Sequence, residues 1–312
     1  MQDLIEAMAS ALSEYSARRV AQPVRTVLEV GPERSYFGVM PAVIDRPAAM
    51  GAKLVTVYAA NHALGLTSHL ATIILMDPAT GALVALLDGR YITEARTAAV
   101  SAVSVDRLAR AGAHRLAILG SGVQARSHLD AIRHVRAIDD VRVWSPKAAS
   151  REAFASSAGA ETGLSVRAMA DAASATADAD IVVIVTASPT AVVRDEDIAP
   201  GTHICAVGAC RPTQREMPTG LMARARLYVD SREAAIVEAG DIVLPLAEGA
   251  FGVEHIVGEL GALVLGHCEG RQSDEDITIF KSLGMAVEDV VAAQLAVERA
   301  HAAGLGTRFS LS

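Results

Sequence analysis

The stretch RLAILGSGVQA (residues 115–125) joins an apolar run to two glycines and an alanine with the spacing G-x-G-x-x-A. At a strand-to-helix junction the first glycine permits a tight turn, the second admits a pyrophosphate against the backbone, and the third small residue lets helix and strand pack closely. The N–H groups at the helix N-terminus would then bind the phosphates. We expect a dinucleotide site made of Gly120, Ser121, Gly122, Val123, Gln124 and Ala125.

Because glycine patterns this short occur by chance, the surrounding chain has to support the motif. Strand-like segments follow at residues 115–120, 141–145, 164–169, 180–188, 202–209 and 225–231, with helix-like segments at 125–135, 148–158 and 171–179. The β-branched run DIVVIVTAS (residues 180–188) is typical of a strand buried on both faces. This alternation predicts an α/β Rossmann fold, a doubly wound parallel sheet of six strands with the dinucleotide across their carboxyl ends.

The segment before the glycine turn has a different pattern. Strand-like runs at residues 53–61, 69–77 and 81–89 are separated by turn residues such as DPATGA, a hairpin signal. A helix is predicted at residues 93–112, capped by Thr93 and ended by Gly112. A last helix, residues 284–303, is expected to pack back onto this region. We therefore predict an α+β substrate-binding and dimerisation domain (residues 1–113 and 291–312) beside a Rossmann domain (residues 114–290).

Composition excludes several classes of protein. Of the 312 residues 51% are hydrophobic and 21% charged, so the chain is a folding globular protein rather than a disordered one. A net charge of −8 without a basic cluster argues against nucleic-acid binding. No apolar run approaches the roughly 20 residues that span a bilayer. Three scattered cysteines predict neither a disulfide framework nor a metal site, and we expect a soluble cytoplasmic protein without membrane partners.

Several stretches together resemble the ornithine cyclodeaminase/mu-crystallin family, in the right order and over nearly the whole chain. They are MPA (residues 40–42), GAKLVTVY (51–58), ITEARTAAVSAV (92–103), ILGSGVQA (118–125), AVGACRP (206–212), AGDIVLP (239–245) and IFKSLGMAVEDV (279–290). The resemblance implies a homodimer of two-domain, NAD(P)-dependent protomers. It also implies a chemistry that moves a hydride between a nicotinamide and the α-carbon of an amino or imino acid.

The resemblance assigns the substrate side of the site. Arg25 and Arg96 are expected to hold the substrate carboxylate, which a planar guanidinium can bind through two hydrogen bonds. Arg34 is near enough to compete with Arg25 for this role. Met40 is expected to contact the substrate. Lys53 interrupts an apolar run, where an ammonium is costly unless it is paired, and is expected to act on the reacting C–N bond as a proton donor or acceptor.

On the cofactor side, the second predicted strand ends in VWSPKAASR, without the acidic residue that binds an NAD ribose. Ser145, Lys147 and Arg151 stand there instead, which favours a 2′-phosphate and hence NADPH, with NADH possible. The same lysine and arginine could also be ordinary charges on a helix surface. Further cofactor contacts are expected at Thr97, Thr186, Ala187, Ser188, Val207 and Gly208.

Two further positions bear on the chemistry. Asp241 is a candidate catalytic carboxylate, although a glycine–aspartate junction favours a helix cap. Cys210 occupies the place where ornithine cyclodeaminases carry an aspartate for the side-chain amine, and a neutral thiol is a poor substitute.

The leading hypothesis is therefore an NAD(P)H-dependent reductase of a cyclic or open α-imino acid. An ornithine cyclodeaminase, which converts L-ornithine to L-proline and ammonia, is the alternative enzyme. A protein that binds NADPH and a small ligand without turnover is the alternative of another class, and the presence of Lys53 and Arg96 argues against a complete loss of chemistry. A purely structural Rossmann protein would leave both residues unexplained.

Overall fold

The computed structural model describes residues 1–31 and 35–309, except the side chain of His62. The helices are α1 Gln2–Ser16, α2 Gly89–Leu108, α3 Val123–Ile132, α4 Ala148–Thr162, α5 Ala172–Thr176, α6 Thr219–Arg224, α7 Arg232–Glu238, α8 Gly240–Ala247, α9 Leu260–Val264 and α10 Ala286–Ala302. Within these ranges no helix is both long and apolar enough to cross a membrane.

The strands divide into two groups along the chain. The first group is β1 Val20–Ala21, β2 Thr26–Val30, β3 Ser35–Asp45, β4 Ala48–Val57, β5 His69–Met76 and β6 Leu83–Asp88. The second group is β7 Arg115–Leu119, β8 Asp140–Trp144, β9 Ser165–Ala168, β10 Ile181–Ile184, β11 His203–Ala206, β12 Arg226–Val229, β13 Ile256–Glu259 and β14 Thr278–Lys281.

The first group forms an antiparallel sheet in the order β1-β3-β4-β5-β6, with β2 also paired to β3. Helices α1, α2 and α10 pack against one another, α2 and α10 also pack against this sheet, and the side chains of all three share one hydrophobic core with it. Met8, Ile73, Val100 and Val287 are fully buried members of that core. Helix α10 therefore returns to the N-terminal sheet, as the sequence predicts.

The second group forms a parallel sheet in the order β13-β12-β14-β11-β10-β7-β8-β9. Alternate residues of one strand enter opposite layers: Leu116 and Ile118 of β7 pack on one face, and Ala117 and Leu119 pack on the other. Because both faces are covered, the strand sequence is continuously apolar. The strand order reverses between β7 and β10, which opens the crevice at their carboxyl ends where dinucleotides bind in such folds. The predicted fold class is confirmed.

Two details differ from the sequence prediction. The sheet contains β13 and β14 in addition to the six predicted strands, and β14 lies between β11 and β12. Both lie beyond residue 231, where the predicted alternation of strands and helices ends. The predicted start of α2 is also wrong, because the helix begins at Gly89, and Asp88 caps it by accepting a hydrogen bond from the Arg90 N–H at 2.8 Å. Thr93 is buried within the helix, where its carbonyl accepts from the Thr97 hydroxyl.

Buried polar contacts fix α2 against the parallel sheet. The His128 ring of α3 lies 2.9 Å from the Ser101 hydroxyl of α2, and its other nitrogen lies 2.7 Å from the Gln124 carbonyl. The His203 ring of β11 lies 3.1 Å from the Ser104 hydroxyl. Burial lowers the pKa of both rings, to about 4 for His128 and about 3 for His203, so both rings are uncharged at neutral pH. These contacts set the position of α2 relative to the glycine turn.

Candidate active site

The glycine turn has the conformation that a dinucleotide requires. Gly120 has φ +122°, and a Cβ there would lie 2.6 Å from the Val185 carbonyl oxygen, so only glycine fits. Gly122 is the N-cap of α3, and among the described atoms none lies within 4 Å of where its Cβ would stand. The backbone N–H groups of the first turn of α3 are thus open to an anion, and buried Ala125 packs behind them. These residues fit a bound pyrophosphate.

The end of β8 lies beside this turn. The Ser121 hydroxyl donates to the Ser145 hydroxyl at 2.9 Å, and Arg151 donates through Nη1 to the Ser145 carbonyl at 2.9 Å. Lys147 is exposed and is the N-cap residue of α4. Three predicted cofactor residues are therefore grouped at the position where the ribose next to the pyrophosphate is expected.

The opposite wall of the crevice is held by a carboxylate that sequence reasoning missed. Glu216 is fully buried, its Oε1 accepts from the Thr186 N–H at 2.9 Å, and its Oε2 accepts from the Ala209 N–H at 3.0 Å. It thus ties the loop after β10, which includes Ala187 and Ser188, to the loop after β11, which includes Val207 and Gly208. Burial raises the pKa of Glu216 to about 7. No pattern in the surrounding sequence distinguishes Glu216 from an exposed loop glutamate.

Asp241 supports the same wall from behind. Its side chain is fully buried, and Oδ1 accepts from the N–H groups of Glu216 at 2.8 Å and Met217 at 3.1 Å. Oδ2 forms a 3.0 Å ion pair with Lys281, which is also fully buried. The carboxylate caps the segment that carries Glu216 and does not cap its own helix. This geometry favours a structural part for Asp241 over the catalytic one.

Lys53 and Arg96, predicted separately, meet on one carboxylate. The Lys53 ammonium lies 2.6 Å from Oδ2 of Asp289, and Nε of Arg96 donates to Oδ1 at 2.9 Å. Arg96 also donates through Nη1 to Oε2 of Glu288 at 2.6 Å. All four side chains are at most 5% exposed. We call these residues, Lys53, Arg96, Glu288 and Asp289, the four-charge cluster.

The four-charge cluster is assembled from three elements of the fold. Lys53 lies in β4 directly opposite Met40 of β3, and Arg96 lies in α2. Glu288 and Asp289 lie in the first turn of α10, where Glu288 also accepts from the Met285 N–H at 3.2 Å. The two acids belong to the family motif IFKSLGMAVEDV, and the sequence alone assigns them no role. Two carboxylates inside an otherwise apolar helix start were the available signal.

Burial changes the protonation chemistry of the four-charge cluster. Desolvation lowers the pKa of Lys53 to about 8, although the Asp289 charge acts against this shift. Burial alone would raise the pKa of Asp289, but Arg96 and Lys53 hold it below its usual value. Burial raises the pKa of Glu288 to about 7. Lys53 is thus an ammonium that can lose its proton close to neutral pH.

Arg25 reaches the turn between β14 and α10. Its Nη2 donates to the carbonyls of Leu283 at 2.8 Å and Gly284 at 3.0 Å, and its Nε lies 3.0 Å from Oε2 of Glu238. Arg25, Met40, Glu238 and Gly284 line one small cavity. Arg34, the competing candidate, lies outside the described residues. The structure thus brings Arg25 and Met40 to a common cavity beside the four-charge cluster.

Cys210 lies at the end of the loop that follows β11. Its side chain is exposed, and Sγ lies 3.3 Å from the Val207 carbonyl, to which it donates. The next residue, Arg211, stacks its guanidinium 4.0 Å above the Tyr36 ring of β3. The thiol therefore stands where the parallel-sheet domain meets the N-terminal sheet.

The chain is similar over nearly its whole length to proteins of known family. The sequence profile of the ornithine cyclodeaminase/mu-crystallin family matches residues 1–304. The chain belongs to this family. The ketimine reductase mu-crystallin of Mus musculus is 42% identical over 299 residues, which cover 94% of this chain and 90% of the mouse protein.

Two solved structures of this family's fold superpose closely. The Thermococcus litoralis Δ1-pyrroline-2-carboxylate reductase, solved with NADH and L-proline, has a TM-score of 0.96 and 36% identity, covering 99% of this chain and 96% of that one. An archaeal alanine dehydrogenase dimer with bound NAD has a TM-score of 0.94 and 31% identity, covering 100% and 95%. The family member described here thus shares its whole architecture with both.

We predict that Gly284→Ala destabilises the protein more than an ordinary glycine substitution. Gly284 has φ +76°, and a Cβ there would lie 2.7 Å from Nη2 of Arg96. Gly249 has φ +71° and, among the described atoms, open space around it, so Gly249→Ala has the same backbone cost without displacing Arg96. We expect Gly284→Ala to lose about 1–3 kcal/mol more in urea unfolding, since a buried ion pair must shift. Equal losses in the two variants would contradict this.

Proposed function

We propose that this protein is an NAD(P)H-dependent reductase of α-imino acids, with a cyclic imino acid that carries one carboxylate as the best candidate substrate. The observation that carries the proposal is the pairing of Lys53 and Arg96 on buried Asp289, beside the crevice that fits a dinucleotide. Kinship with a ketimine reductase and a pyrroline-2-carboxylate reductase supports the same reaction class.

Residues of this chain account for the parts of the reaction that a protein must supply. The bound reduced nicotinamide supplies the hydride. Arg25, with Arg96 behind it, attracts the substrate carboxylate and so fixes the α-carbon in the crevice. Lys53 donates a hydrogen bond and then a proton to the imine nitrogen, which completes the amine. A lysine with a pKa of about 8 is still mostly protonated at neutral pH and gives up its proton readily.

We propose NADPH as the preferred cofactor, although both solved relatives hold NADH or NAD. Ser145, Lys147 and Arg151 form a polar and cationic group where an acidic residue would bind the ribose of NAD. The remaining predicted contacts are Thr97 on α2 and the loops after β10 and β11, which Glu216 holds together. These would face the nicotinamide half of the cofactor.

Cyclodeamination of ornithine is the less favoured reaction. A carboxylate that would steady a δ-ammonium is replaced by the exposed thiol of Cys210, which carries no charge at neutral pH. Lys53 and Arg96 are retained in a complete ion-pair network, which argues against a protein that binds ligands without turnover.

We also propose that the protein is a homodimer, joined through the outer face of the antiparallel sheet. Leu70, Val84 and Leu86 are apolar and between 42% and 51% exposed on β5 and β6. An apolar patch of this kind marks an interaction surface. The alanine dehydrogenase relative is a dimer, which supports this assembly. The predicted cytoplasmic location stays a prediction.

The function is tested by NADPH oxidation with a panel of substrates. We expect turnover of Δ1-pyrroline-2-carboxylate or Δ1-piperideine-2-carboxylate, and little or no ammonia released from ornithine with NAD(P)⁺. Arg96→Lys keeps the charge but loses the two-pronged fork, so kcat/KM for the imino acid should fall at least about tenfold with cofactor affinity unchanged. Efficient ammonia release from ornithine, without imine reduction, would refute the proposal.

The cofactor preference is tested by fluorescence titration of NADPH and NADH. Lys147→Ala should weaken NADPH by roughly 10- to 100-fold and leave NADH nearly unchanged, because one charge-assisted contact to phosphate is lost. Arg133→Ala, which removes a charge at the end of α3, is the control. Equal affinities of the unmodified protein for both cofactors would contradict a 2′-phosphate site.

The part played by Lys53 predicts a pH profile. Reduction requires the protonated amine, so kcat/KM should fall as pH rises above about 8. Asp289 raises the pKa of Lys53, so Asp289→Asn should move this alkaline limb to lower pH. Asp45→Asn, an exposed carboxylate at the end of β3, should leave it in place. The same substrate is used throughout, so its own ionisation cancels. An unmoved limb in Asp289→Asn would exclude Lys53 as the group that titrates.

The dimer is tested by light scattering. The unmodified protein should have twice the 32.4 kDa mass of one chain, and Leu86→Glu should reduce it to the monomer mass because a charge would be buried in the interface. Val253→Glu, at an apolar residue that is 50% exposed before β13, should leave the mass unchanged. A monomeric unmodified protein would refute the assembly.

A further inference from the structure

The ion pair between Arg25 and Glu238 crosses from one domain to the other. Arg25 precedes β2 of the N-terminal sheet, and Glu238 is the last residue of α7, which packs on the parallel sheet. The two charges are 3.0 Å apart, and their side chains are 20% and 15% exposed. Because both side chains are mostly shielded from water, the electrostatic attraction between Arg25 and Glu238 is stronger than that of an exposed surface ion pair.

The same guanidinium is the group that the proposed function assigns to the substrate carboxylate. Nη2 of Arg25 is engaged by the carbonyls of Leu283 and Gly284, which fix the orientation of the side chain, and Nε faces Glu238. An incoming carboxylate that uses the Nε side must take the position of the Glu238 carboxylate. Both groups are anions with the same geometry, so they exclude each other.

We propose that Glu238 is an internal competitor for the carboxylate-binding arginine: it occupies Arg25 in the ligand-free enzyme, and the substrate carboxylate displaces it. This inference rests on the proposed function, because it takes an imino acid as the ligand. Glu238 thereby sets the affinity of the site, since a ligand binds only to the fraction of molecules in which Arg25 is released.

The surroundings of Glu238 make its displacement costly. Burial raises the pKa of Glu238, Arg25 acts against that shift through its charge and its hydrogen bond, and the nearby carboxylate of Asp230 adds to it. Asp230 is 1% exposed and is itself committed to the turn, where it accepts from the Gly284 N–H at 2.7 Å. Once a ligand neutralises Arg25, Glu238 faces Asp230 without a compensating cation. A ligand without a negative charge has no means to offset this cost, so the device selects carboxylates.

The test replaces Glu238 by its neutral isostere in the NADPH-loaded enzyme. Glu238→Gln should lower KM for the cyclic imino acid by about three- to tenfold, with kcat changed less than KM, because the competitor has lost its charge. Glu233→Gln removes the same charge from an exposed position of the same helix and should change neither constant. If Glu238→Gln fails to fold, Glu238→Asp replaces it. This variant keeps the charge but shortens its reach to Arg25, so it should also lower KM, by a smaller factor.

Two further measurements separate competition from a general effect. Pyrrole-2-carboxylate should bind Glu238→Gln more tightly than the unmodified enzyme, measured by calorimetry, whereas pyrrole-2-carboxamide should bind both equally. In an Arg25→Ala background, Glu238→Gln should not increase the affinity for pyrrole-2-carboxylate, because the arginine for which the two carboxylates compete is absent. An unchanged or raised KM in Glu238→Gln, with the fold intact, would overturn the inference. If the unmodified enzyme reduces no imino acid, the proposed function fails. The competition between Glu238 and a ligand carboxylate is then still tested by the binding of pyrrole-2-carboxylate.

Discussion

The site depends on one buried carboxylate, that of Asp289, which forms an ion pair with two cations at once. Lys53 comes from a strand, Arg96 from a helix that precedes the parallel sheet, and Asp289 from a helix that follows it. Charges taken out of water cost several kcal/mol each unless they are paired and hydrogen-bonded, and removing one partner typically costs about 3–5 kcal/mol. Three distant segments are therefore forced to meet correctly, and the fold that satisfies the charges also assembles the chemistry.

The loops after β10 and β11 are also held in place by buried carboxylates. Glu216 accepts from backbone N–H groups of two loops, Asp241 accepts from the backbone around Glu216, and Lys281 neutralises Asp241. Neither carboxylate needs to contact a ligand to matter. They fix two loops in advance, so less ordering remains to be done when a cofactor binds.

How far the sequence predicts this protein follows from the range of each interaction. The glycine turn, the alternating strands and the family motifs are local patterns, so the fold class and the candidate residues Lys53 and Arg96 could be predicted from them. Glu216 could not, because its part depends on which loops surround it. Strand β14 was missed because it joins the sheet out of chain order: it follows β12 and β13 in the chain but lies between β11 and β12, where it brings Lys281 to Asp241. Helix α2 was displaced by four residues because Asp88 ends a strand and caps a helix at once.

The turn at Leu283 and Gly284 connects the two halves of this arrangement. Its N–H groups are held by Asp230 from the parallel-sheet domain, and its carbonyls are held by Arg25 from the N-terminal domain. Gly284 has no side chain, which leaves room for the Arg96 guanidinium against its backbone. Strand β14 ends just before this turn and the helix that carries Asp289 begins just after it. A shift of the turn would therefore move Lys281 and Asp289 together, which couples the loops held by Glu216 and Asp241 to the four-charge cluster.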